Sequence, residues 1–157
     1  MIRTSRAELT ETVDVDAPPE QVWAALTDWA RQGEWMPATE VRTVGGPAVG
    51  VGGRLEARTG LPVPGGARLG VLDAMEITRW EPPFRVDVRH TGRVVRGSGI
   101  FQVRPRGAGS TFVWTEALDL PLGALGRLGW PLVRPVTRAG LRLALRRFAA
   151  FARTHPA

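Results

Sequence analysis

The stretch "RGSGIFQVRPRGAGSTFVWTEALDL", Arg96–Leu120, decides the fold. Two alternating runs, 96–105 and 110–120, flank "RGAG" at 106–109, a link of hairpin length and composition. Pairing the runs across it sets Phe101 opposite Trp114 and Val103 opposite Phe112, all on one side. Glu116 follows on that side by the two-residue period, opposite Gly99. A carboxylate therefore points where its neighbours are aromatic. In an interior it needs a partner, with Arg96 or Arg138 on offer, or it takes up a proton; at a strand end it simply reaches water.

The same alternation continues upstream. In "FRVDVRH" (84–90), Val86, Val88 and His90 share one face, and Asp87 and Arg89 the other. "GVLDAMEITRW" (70–80), "GRLEART" (53–59), residues 38–45 and "ELTETVDVD" (8–16) also read as strands. "DAPPEQVWAALTD" reads as a helix with Asp16 as N-cap and its prolines at the start. "DWARQGEWMP" predicts a second short helix, ended by Pro37. A final helix spans about 133–153, where Val133, Thr137, Leu141, Ala144, Leu145, Phe148, Phe151 and Ala152 fall on one arc. Arg134, Arg138, Arg142, Arg146 and Arg153 flank that arc, as a solvated stripe. The order β-α-α-β6-α with short links requires an antiparallel sheet, and the class is α+β.

Composition narrows the chemistry. The chain of 157 residues, 43% of them apolar, suits one domain over 1–157 with a real core. Without Cys there is no disulfide, thiolate ligand or Cys nucleophile. His90 and His155 lie far apart and no metal-ligand spacing exists, so no metal and no cofactor is expected. Net charge is +6, yet every basic residue is Arg, and the arginines are spread along the chain, which argues against a nucleic-acid surface. No apolar run reaches a membrane span or a signal peptide, so the expectation is a cytoplasmic protein.

Two segments exceed what a connection needs. "TGLPVPGG" (59–66) links two strands yet carries Leu61 and Val63 between prolines. "LDLPLGALGRLGWPLVRP" (118–135) bridges the last strand and the last helix and is rich in Leu. It is suited to capping a cavity, self-association or peripheral membrane contact, with capping the simplest.

The phrases "DAPPEQVWAALTDWARQGEWMP", "AVGVGGRLEAR", "ITRWEPPFRV" and "GSGIFQVRPRGAGSTFVWTEAL", followed by the Arg-rich helix, occur in an order that resembles the START-like helix-grip (SRPBCC) superfamily. Within it they are most similar to the polyketide cyclase/dehydrase and lipid-transport family. The resemblance implies a curved antiparallel sheet gripping the C-terminal helix around an apolar cavity. "TGLP" at Thr59–Pro62 resembles a lid phrase of the plant abscisic-acid receptors in that superfamily. His90 falls near the place of their latch. The implied ligand site comprises Trp35 and Met36 at the entrance, Leu61 and Val63 in the lid, and Val88, His90, Phe101, Phe112, Trp114, Glu116, Leu141 and Leu145 in the cavity.

The function expected is binding of a hydrophobic small molecule, lipid-like or polyketide-like, by a carrier or sensor that is a monomer or homodimer. No nucleophilic triad or phosphate-binding loop is present, which favours binding. The alternative is a cyclase or dehydratase whose shaped pocket uses one or two proton-shuttling residues, with Glu116 and His90 as candidates.

Overall fold

The computed structural model describes residues 6–120 and 122–157; residues 1–5 of the signal-peptide reading and Pro121 of the 118–135 segment lie outside the described residues. The elements are β1 (Arg6–Val15), α1 (Pro19–Thr27), a 3-10 helix (Trp29–Glu34), β2 (Thr39–Gly45), β3 (Arg54–Pro62), β4 (Arg68–Glu81), β5 (Arg85–Thr91), β6 (Arg96–Arg106), β7 (Gly109–Asp119) and α2 (Ala124–Thr154). Among the described residues the strands form one curved antiparallel sheet of seven, in the order β1-β7-β6-β5-β4-β3-β2. From β2 to β7 each strand pairs with its successor in the chain, the arrangement that short links favour. The "RGAG" hairpin sets the expected register, with Gly99, Phe101 and Val103 opposite Glu116, Trp114 and Phe112.

The gripped helix is fixed at its C-terminal half. Leu141, Ala144, Leu145, Phe148 and Ala152 are buried against the sheet. The Phe148 ring lies 4.5 Å from Phe112 and 4.9 Å from Trp35. Burying such a ring contributes about 1.5–3 kcal/mol. Beyond the helix, His155 Nε2 meets Asp28 Oδ2 at 2.9 Å, which ties the chain end to the start of the 3-10 helix.

Four expectations are corrected. The last helix begins at Ala124, not near 133, so much of the 118–135 segment is helical. Pro131 and Pro135 lie inside it; both are exposed, so the carbonyls they leave unpaired face water. Half of "TGLPVPGG" is strand, since β3 runs to Pro62 and pairs Leu61 with Leu69. Pro62 is tolerated because β2 has already run out opposite Thr59. Gly60 and Gly70 face each other in this extension, where a Cβ on Gly70 would come within 2.0 Å of the Thr59 carbonyl oxygen. Asp16 does not cap α1; Pro18 holds the N-cap position, and no side chain caps it.

The fourth correction concerns the Arg stripe. Arg138 and Arg142 are not simply solvated: both donate to Glu11 on β1, Arg142 at 3.0 Å. Glu11 shares its face with Leu9 and is itself buried, so α2 lies over it. Burial pushes the Glu11 carboxyl up, but the hydrogen bonds from Arg142 and Arg138 prevail and hold it below the usual carboxylate range. The partner of Arg138 is thus Glu11, not Glu116. Because both guanidinium groups stay partly in water, Glu11→Ala is expected to cost about 1–2 kcal/mol in urea unfolding. A midpoint equal to that of the parent protein would show that solvent screens these pairs.

Candidate functional site

The concave face of the sheet is built by alternation. Leu55, Ala57 and Thr59 of β3, Asp73 and Met75 of β4, and Val88 and His90 of β5 all point to it, as do Phe101 of β6 and Trp114 and Glu116 of β7. Trp29, Gln32, Trp35 and Met36, on and just after the 3-10 helix, cover this surface and leave a pocket of about 80 Å³. The walls are largely aromatic. Phe101 lies 5.1 Å from Trp114, and Trp35 lies 6.1 Å from Trp114, edge-on.

One side of this pocket is charged. His90, only 7% exposed, has both ring nitrogens engaged: Nδ1 with Asp73 Oδ1 at 2.8 Å and Nε2 with Glu116 Oε2 at 3.0 Å. The other oxygen of Glu116 accepts the indole N–H of Trp114 at 2.6 Å. Gly99 makes room for the carboxylate, since a Cβ there would stand 3.2 Å from Glu116 Oε1. Both ring nitrogens can donate at once only in the imidazolium form. Burial pulls the His90 pKa down, but the hydrogen bonds to Asp73 and Glu116 and their charges outweigh it, and the pKa is raised to about 10.

Of the residues expected at the site, Trp35, Met36, Val88, His90, Phe101, Trp114 and Glu116 line this pocket together. Phe112, Leu141 and Leu145 pack in the adjacent core instead, where Phe112 stacks on Phe101. Leu61 and Val63 do not reach the pocket; they sit at the far end of the β3–β4 hairpin, with Leu61 72% exposed. Glu116 is buried and finds its partners in His90 and Trp114, not in Arg96 or Arg138, because its strand neighbours are closer than any arginine. Asp73 was missed by the sequence reading. The signal was available, for Asp73 shares its parity with Met75 and Ile77 on an inward face. Trp35 adds a polar feature: its indole N–H is buried with no protein partner.

The charged cluster makes stability depend on pH. A His whose folded pKa is about 10, against 6.5 unfolded, contributes fully below pH 6.5 and loses that contribution as pH rises through 10. Stability to urea is therefore expected to fall across that window, and NMR should show His90 as imidazolium at neutral pH. Asp73→Asn should move its titration down. A neutral imidazole at pH 7 would overturn this assignment.

Comparison with known proteins sets the geometry in context. No curated protein sequence matches the chain. Among solved structures, TTHA0849 from Thermus thermophilus superposes with a TM-score of 0.73 at 20% identity, covering 93% of this chain and 97% of that one. The Zhui aromatase/cyclase of a Streptomyces species superposes with a TM-score of 0.70 at 18% identity, covering 94% of each chain. The di-domain aromatase/cyclase StfQ of the steffimycin pathway gives 0.71 at 14% identity, with 96% of this chain on 52% of that one. Such identities carry the fold. The sequence itself matches the family described as "Polyketide cyclase / dehydrase and lipid transport" over residues 6–153. With the match spanning nearly the whole chain, this protein belongs to the polyketide cyclase/dehydrase and lipid-transport family.

Proposed function

We propose that the protein binds a hydrophobic, polyketide-like or lipid-like small molecule between the sheet and α2, with the molecule's polar end on the His90 cluster. The observation that carries this reading is an aromatic pocket, one side of which is a buried carboxylate–imidazolium–carboxylate group. The cluster formally holds one negative charge in excess, which disfavours a fatty acid carboxylate. A neutral ligand suits it better, with a hydroxyl donating to Asp73 or Glu116 and a carbonyl accepting the unpartnered Trp35 N–H. Sites for such ligands occupy roughly 300–1,000 Å³. The present pocket, at about 80 Å³, must widen on binding, and the flexible side chains of Met36 and Met75 in its wall can move.

A second reading, a cyclase or dehydratase, is favoured by the 3.0 Å contact of Glu116 with His90. Glu116 would take a proton from the carbon next to the ligand's carbonyl. Neutralising that carboxylate removes part of what holds the His90 proton, so His90 becomes the stronger acid as Glu116 is protonated. His90 would then protonate a departing β-hydroxyl; a C–H and a C–O bond break, a C=C bond forms and water leaves.

Tryptophan fluorescence, with an aromatic β-hydroxyketone and a fatty acid of similar length as probes, tests the binding. The neutral probe is expected at about micromolar strength, near 8 kcal/mol, and the fatty acid more weakly. Trp114→Ala should change that preference. Equal binding of the fatty acid would remove the cluster from the site. Glu116→Gln and His90→Ala separate the two readings. Dehydration of the β-hydroxyketone that is lost in either variant while binding survives supports the enzyme, and binding without turnover supports the carrier.

A further inference from the structure

The N-terminal half of α2 is apolar on two sides, about 110° apart. One side, with Gly129, Trp130 and Val133, faces an apolar groove of about 340 Å³ against Val94, Val95 and the end of β7. The other side carries Leu125, Leu128, Leu132 and Val136, which at about 100° per residue form a single row. These four are 67%, 74%, 80% and 74% exposed. A helix that is apolar on both sides is ordinarily enclosed by something.

Topology places more apolar surface at the same end. The β5–β6 loop lies beside the start of α2 through that groove and beside Leu72 of β4 through Gly92. Val94 of this loop is 68% exposed. The β3–β4 hairpin extends past the loop, with Leu61 and Leu69 paired at 72% and 74% exposed.

Charge selects the occupant. α2 contains seven Arg and no Asp or Glu. Arg127 and Arg134, on the exposed half, and Arg146 and Arg147 farther along have no ion-pair partner among the described residues. No helix of the described residues is long and apolar enough to cross a membrane, so the row can lie only at a surface. At the same angular step Arg146 and Arg147 fall on either side of the Leu row's line, while Arg127 and Arg134 project from the far side. An exposed Leu row so flanked matches a helix resting in the interface of an anionic bilayer.

We propose that the N-terminal half of α2, with the neighbouring loop and hairpin tip, docks on anionic lipid bilayers. The Leu row enters the acyl boundary, and Arg146 and Arg147, on its two flanks farther along, meet lipid phosphates. This does not depend on what the internal pocket binds, and its test uses no ligand.

The test is flotation of the full chain with phosphatidylcholine vesicles and with equimolar phosphatidylcholine–phosphatidylglycerol vesicles. Light scattering reports the oligomeric state alongside. The protein is expected to float with the anionic vesicles, to bind phosphatidylcholine poorly and to be released by salt. The double substitution Leu128→Glu and Leu132→Glu alters only exposed positions, and circular dichroism should be unchanged. It should weaken vesicle binding at least about tenfold. Arg146→Glu with Arg147→Glu, both exposed, should reduce the anionic preference. Failure to float at low salt, equal binding to both vesicles, or undiminished binding by the leucine variant would overturn the proposal. So would a dimer in solution that the leucine variant dissociates, since the row would then be a self-interface.

Discussion

Everything in this molecule depends on how α2 meets the concave sheet. From Arg138 onward the helix lies in the grip, with Phe148 between Phe112 and Trp35 and with Arg138 and Arg142 held by Glu11. The first half, opened by Gly123 and interrupted by Pro131 and Pro135, has no such anchor. Curvature explains the division. A curved sheet can touch a straight rod closely along only part of its length. The remaining space becomes the groove beside Trp130 at one end, while the pocket beneath Trp35 lies on the sheet's own concave face.

Within that grip the His90 cluster is the costly element. Two carboxylates and an imidazole lose water where most neighbours are carbon, and only mutual hydrogen bonding offsets the loss. Every acceptor is placed by a strand: Asp73 by β4 and Glu116 by β7, one on each side of β5. The cluster bridges three strands that are not all consecutive in the sheet, crossing β6 at Gly99, where a Cβ would crowd Glu116 Oε1 at 3.2 Å. A rigid scaffold thus fixes the donor and acceptor geometry, as acid–base or polar recognition requires.

Much of this was legible in the chain. Alternation in 84–90, 96–105 and 110–120 sufficed for the strands, their pairing and their inward faces, because a two-residue period leaves one register that buries the apolar set. The inward positions of Val88, His90, Phe101, Trp114 and Glu116 follow from that period alone. The arc from Leu141 to Ala152 likewise marks the buried half of α2. The true start of α2 was hidden because Pro131 and Pro135 locally oppose a helix, and only the exposed setting of both makes them tolerable.

What only the tertiary structure decided is which polar groups meet. Sequence places Glu116 and His90 on inward faces of separate strands, with the parity of Asp73 available but unread, and distance across a sheet depends on strand order and curvature. The order β7-β6-β5-β4 sets Glu116 and Asp73 on opposite sides of His90 and converts three isolated residues into one charged group. Glu11 shows the same limit. It shares the parity of Leu9, which the sequence alone did not single out, and its choice of Arg138 and Arg142 arose because α2 crosses β1 at that point. Periodicity is local and survives in one dimension; charge pairing is a matter of a few ångströms between distant segments, and only the closed fold defines that.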